Sequence, residues 1–112
     1  MKAITAYIKP HKLSEVTAVL KHMDGLTGMT ILDCQGFGLG WGSSDEMPDD
    51  GLVDFRKSIK IEIVCLDHLS DQVVTAIEHS AHTGLKGDGK VYVGDISHAV
   101  RISTGESGDG AV

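Results

Sequence analysis

One amphipathic helical pattern occurs twice in this chain, as LSEVTAVLKH at 13–22 and as LSDQVVTAIEH at 69–79, each time between two strand-like segments. Before the first copy, residues 2–9 alternate, with Ile4, Ala6 and Ile8 on one face and Lys2, Tyr7 and Lys9 elsewhere, until Pro10 ends the strand. Leu13, Val16, Val19, Leu20 and Met23 then take helical spacing, with Lys12, Glu15 and Lys21 opposite and Gly25 expected as the C-terminal stop. Residues 29–34 form the next strand. In the second half, Ile59, Ile61, Ile63 and Cys65 alternate with Lys60, Glu62 and Val64. Leu69, Val73, Val74, Ile77 and Ala81 mark a helix capped by Ser70 or Asp67. Val91, Tyr92 and Val93 follow as a strand, and Arg101, Ile102 and Ser103 as a short final one.

A β-α-β order used twice predicts an α+β fold, a ferredoxin-like double βαβ sandwich with two helices on one face of a four-stranded sheet. At 112 residues the chain forms one domain over 1–112, long enough to bury roughly two-thirds of its unfolded surface. Aromatic residues are only 4% of the chain, so the core must be aliphatic. The second sheet face is expected to carry Ile, Val and Leu with nothing in the chain to cover it, which predicts a homo-oligomer. The tail from Glu106 to Val112 is polar and glycine-rich and is expected to be loose.

The net charge of −6 argues against a nucleic-acid partner, which needs a basic surface to displace counterions. Apolar runs fall far short of the ~18–20 residues of a membrane span. Lys9 and Lys12 interrupt the N-terminal segment too early for a signal-peptide core. A cytoplasmic protein is expected, with Cys34 and Cys65 as reduced structural thiols among aliphatics.

Residues 38–57 connect two strands without a periodic pattern, and so long a connection in a small domain is usually functional or disordered. It opens with GFGLGWG, in which Trp41 and Ser43 stand where a dinucleotide fingerprint needs glycine, and no helix follows. Glycine there gives either a pliable stem or a close backbone approach to a ligand. The next stretch, SSDEMPDDG, gathers Asp45, Glu46, Asp49 and Asp50 around Met47 and Pro48 without calcium-loop spacing. A solvated acidic loop touching a partner is the reading adopted, with Trp41 as its anchor. The six histidines form no metal pair at i, i+4, and no Ser or Cys stands in a catalytic pattern with a His and an acid, so no enzyme activity is expected.

The stretch TGLKGDGK at 83–90 is the remaining candidate. Read from Gly84 it nearly matches G-x-x-x-x-G-K-[ST], but Val91 stands at the hydroxyl position and the order is helix, loop, strand rather than strand, loop, helix. It is therefore not a Walker loop. Backbone amides at Gly87, Asp88 and Gly89 beside Lys90 leave two readings open: an anion nest, or a tight turn with a salt-bridged lysine.

TGLKGDGK before a strand, RISTGE after it, MKAITAYIKPHKLSEV at the start and GFG before a long loop together resemble the PII signal-transduction family over nearly the whole chain. The resemblance implies a compact homotrimer that binds ATP, ADP or AMP in clefts between subunits and docks a T-loop onto membrane transporters or regulated enzymes. By position it assigns phosphate contacts to Gly87, Asp88, Gly89 and Lys90 of the B-loop (83–90), with Arg101 of the C-terminal segment (101–112) coming from the neighbouring subunit. Thr30, Gly36, Phe37, Gly38, Ile63 and Val64 match the adenine and ribose contacts, and the T-loop spans about 38–55.

Several positions depart from the family pattern GFGRQKG and RIRTGE. Leu39 and Ser103 replace phosphate-facing arginines, and Gly40 replaces a glutamine that helps to hold Mg²⁺ and 2-oxoglutarate. Mg²⁺ binding is thereby left open, because the ion demands near-complete octahedral coordination. Ser58 stands where the family has lysine, with Arg56 and Lys57 nearby, and Gly51 and Leu52 occupy the neighbourhood of the modified tyrosine. Weaker triphosphate grip is expected, with ADP or AMP relatively favoured. The alternative is a small-ligand (bicarbonate) or metal-responsive binding protein, since divergent relatives are linked to bicarbonate uptake or heavy-metal efflux.

Overall fold

Alternation along each strand decides which side of the sheet is buried. The computed structural model describes residues 1–38 and 55–112, so Trp41, Asp45, Glu46, Met47, Asp49 and Asp50 lie outside the described residues. Four strands, β1 (Lys2–Ile8), β2 (Thr30–Gly36), β3 (Arg56–Cys65) and β4 (Gly89–Asp95), form one antiparallel sheet in the order β2-β3-β1-β4. The two helices are α1 (Leu13–Lys21) and α2 (Ser70–Ala81). This is the ferredoxin-like α+β arrangement that the doubled β-α-β order predicts.

Register places Ile4 opposite Ile63, Ala6 opposite Ile61 and Ile8 opposite Ile59, so three apolar pairs share one face. Val16 and Leu20 of α1 and Val73, Ile77 and Ala81 of α2 complete the core against them. A buried aliphatic side chain contributes about 1.5–3 kcal/mol by transfer from water, so these residues dominate the stability of the sheet–helix sandwich.

The other sheet face differs from expectation. It pairs Ala3 with Val64, Thr5 with Glu62 and Tyr7 with Lys60, a mixed surface rather than an aliphatic one. Lys60 lies 6.0 Å from the Tyr7 ring centroid and 2.9 Å from Glu62, and Tyr7 meets Tyr92 edge to face. Leu32, Val64 and Tyr92 are its exposed large apolar groups. The aliphatic residues had already been spent on the helix-facing side.

Four local expectations also change. Residues 101–103 form a turn, not a strand: the Gly105 amide donates to the Arg101 carbonyl and the Arg101 amide to the Glu106 carbonyl, each at 2.8 Å. All three residues are exposed, Ile102 at 99%, so no buried face fixes the segment in register with the sheet. The tail folds back in a 3₁₀ turn, Gly108–Ala111, with the Gly108 amide donating to the Ala99 carbonyl at 3.0 Å. At the helix ends, neither Ser70 nor Asp67 caps α2, because a 3₁₀ turn, Asp67–Leu69, leads straight into it and Asp67 instead receives the N-terminal ammonium at 2.7 Å. Helix α1 ends at Lys21, and Gly25 lies beyond it in a turn against Leu69.

Candidate functional site

The loop from Thr83 to Gly89 joins α2 to β4 at the end of the sheet where β1 finishes. Gly87 and Gly89 have φ of +80° and +106°, a region that side chains rarely enter. Gly89 is required for a second reason: a Cβ there would collide with the Tyr7 carbonyl across the β1–β4 pairing.

Asp88 closes the loop. Its carboxylate accepts the Thr83 amide at 2.8 Å and the Thr83 hydroxyl, and Lys9 Nζ stands 3.1 Å away. Burial alone would raise its pKa, but the Thr83 hydrogen bonds and the Lys9 ammonium outweigh it and hold the carboxyl well below the usual carboxylate range. The second sequence reading, a turn with a salt bridge, is thus realised by Lys9 and Asp88 and not by Lys90. Lys90 is exposed and pairs with Tyr7 in the sheet.

Beside this loop lies a cleft of about 160 Å³ whose charged lining comes from Lys9, Arg56, Lys57 and Lys86, with Gly87 and Gly89 on its wall. Ser58 at its base is buried and donates to the Ile8 carbonyl at 3.1 Å, tying β3 to the end of β1. Gly36 pairs with Arg56, and Phe37 meets Phe55 edge to face at 5.8 Å, so Gly36, Phe37 and Gly38 stand at the same end of the sheet. Lys86 escaped the sequence reading, although it lies inside TGLKGDGK; a motif ending in Gly-Lys drew attention to Lys90 alone.

Thr30, Val64 and Arg101 lie elsewhere. Thr30 starts β2 and Gly36 ends it, so the two are about 20 Å apart at the usual strand rise. Thr30 and Val64 line a second cleft with Gly28, Glu62, Ala99 and Val112, and the Arg101 guanidinium donates to the Val112 carbonyl at 3.5 Å. Ile63 is 2% exposed with its side chain in the core, which leaves only its backbone for a ligand. The β2 pairing stops at Thr30 and Glu62, and because alternate residues of a strand turn their N–H and C=O to opposite edges, the main chain of one of Ile63 and Val64 faces the edge that β2 leaves open.

A model of the family described as nitrogen regulatory protein P-II matches residues 1–106. The chain belongs to the P-II family. It is 44% identical to nitrogen regulatory protein P-II of Bradyrhizobium diazoefficiens, with both chains covered in full. It is 42% identical, again over the whole of both chains, to nitrogen regulatory protein P-II of Azospirillum brasilense and to nitrogen regulatory protein P-II 1 of Escherichia coli K12. P-II proteins are regulators rather than enzymes. In this P-II chain the two departures Leu39 and Gly40 lie outside the described residues, whereas Ser103 sits in the exposed 101–105 turn. Among the described residues, no group of three or more His, Cys, Asp or Glu side chains is placed to hold a metal ion, and no helix is long and apolar enough to cross a membrane.

Proposed function

We propose that this P-II chain is a signal-transduction regulator that binds an adenine nucleotide between copies of itself and reports the bound state to a partner protein through residues 38–55. The observation that carries this reading is the division of the expected contacts into two half-sites at opposite ends of one sheet. A single chain cannot bring them onto one small ligand; a second copy, in the homotrimer typical of the family, supplies the missing half. The phosphates fit the loop end, where the Gly87 and Gly89 backbone meets the cations Arg56, Lys57 and Lys86. The base fits the other, where Thr30, Val64 and the β3 main chain line a wall whose one charged side chain is Glu62.

The partner is a membrane transporter or a regulated enzyme. Asp45, Glu46, Asp49 and Asp50 suit a basic face on it, and Trp41 suits an apolar pocket. The whole-chain similarity to nitrogen regulatory proteins favours this reading over a bicarbonate- or metal-responsive binding protein. Titration calorimetry with ATP, ADP, AMP and bicarbonate tests it: nucleotides bind and bicarbonate alone does not. Failure of all three nucleotides to bind at millimolar concentration overturns it.

A further inference from the structure

We propose that Lys9 and Asp88 are a positioning pair, which holds the 83–90 loop in its anion-receiving shape without touching the ligand. The inference rests on the nucleotide reading above and names residues that act through the loop backbone.

Every close partner of the Asp88 carboxylate belongs to the loop's own frame. One oxygen takes the Thr83 amide at 2.8 Å and faces His82 Nδ1 at 3.4 Å. The other takes the Thr83 hydroxyl and the Lys9 ammonium, the latter at 3.1 Å. Lys9 Nζ also donates to Thr83 Oγ1 at 3.3 Å, and that same oxygen accepts the Leu85 amide at 3.0 Å. Thr83 and Asp88 are the two ends of the loop, and Lys9 is the residue after β1. The network therefore staples the loop closed on itself and then to the sheet.

Two consequences follow from charge. A carboxylate aimed at the ligand would repel a phosphate, and here it is turned inward, which leaves the loop's glycine backbone to face the cleft. Lys9 lines the cleft but its charge is matched by Asp88, with 22% and 23% of the two side chains exposed. Lys9 thus differs in role from Arg56 and Lys57, which line the same cleft: its removal loosens the loop instead of subtracting a phosphate contact.

Titration calorimetry on Lys9→Met, Asp88→Asn and the double variant separates these roles, with adenosine and ATP as probes. Each single variant should lose ATP affinity on the order of ten- to hundredfold, the value of a charge-assisted bond, while adenosine affinity stays within about threefold. The double variant should be no worse than the worse single one, because both break one device. Lys9→Arg should restore most of the loss. Additive losses in the double variant would make Lys9 a direct phosphate ligand and overturn the pair. Amide hydrogen exchange at Gly87 and Gly89 without nucleotide is the second measurement. It should quicken in Asp88→Asn, which keeps the side chain's volume and one acceptor oxygen for the Thr83 amide but removes the charge and the second acceptor. Wild-type protein that binds no ATP defeats the nucleotide reading, and exchange then still decides the pair; unchanged exchange overturns it.

Discussion

Gly89 stands directly against the carbonyl of Tyr7, in a backbone conformation with φ of +106°. The neighbour is main chain in a paired strand and cannot swing aside, as the tip of a flexible side chain would. Gly89→Ala should therefore cost about 1–3 kcal/mol from backbone strain alone, and more as the β1–β4 pairing shifts. Urea denaturation checks this, and a loss below about 0.5 kcal/mol, as at an ordinary surface site, would contradict it.

Ile63 allows stability and ligand contact to be told apart. Its side chain is in the core opposite Ile4, although the family pattern places it near the nucleotide. Ile63→Ala should destabilise the fold by about 2–5 kcal/mol in denaturant. Nucleotide affinity of the folded fraction should change by less than about threefold. A large affinity loss with stability intact would show that the side chain reaches the ligand.

The low pKa of Asp88 ties loop stability to pH with a definite sign. A carboxyl that is more acidic when folded stabilises the native state above its unfolded pKa of about 3.9, and this contribution fades as pH falls toward the folded value. The stability gap between wild type and Asp88→Asn should thus stay level from about pH 7 to 5 and narrow below about 4. A gap that grows on acidification would reverse the assignment.

How much of this was legible in the sequence depends on the range of the interaction. The sheet and helices were readable because Ile59, Ile61, Ile63 and Cys65 alternate and Val73, Ile77 and Ala81 share a helical stripe, patterns that repeat over several residues. Arg101, Ile102 and Ser103 offered the same alternation over one period only, and local hydrogen bonds closed a turn instead. The mixed character of the open face was already present in the alternation, which sets Tyr7, Lys60 and Glu62 off the core side; the register adds that Tyr7 faces Lys60. The loop's glycines announced themselves, but its brace could not: Lys9 and Asp88 are far apart along the chain and meet only through the fold.

The two thiols should differ in reactivity. Cys65 is in the core, where burial pushes its thiol pKa up, so the nucleophilic thiolate is scarce and shielded. Cys34 is half-buried, with Sγ 3.4 Å from the Ser58 carbonyl at the opposite end of β3. A water-soluble disulfide reagent should modify Cys34 first, and Cys65 only on unfolding. Equal rates for both in native protein would show that the core opens readily.

Subunit mixing tests whether the site spans two copies. Lys90 sits at the loop end of the sheet, and Arg101 beside Val112 at the other. Lys90→Ala and Arg101→Ala assemblies should each bind ATP weakly, because every interface lacks one half. When the two variants are refolded together, an interface can take its loop half from the Arg101 variant and its other half from the Lys90 variant, both native. With random assembly in a closed ring, about a quarter of the interfaces would be restored. Tight ATP binding at that stoichiometry, absent from either parent, is the expected outcome. A mixture that binds no better than its parents would mean that each site is built within one chain, and the proposed division of contacts between copies would be wrong.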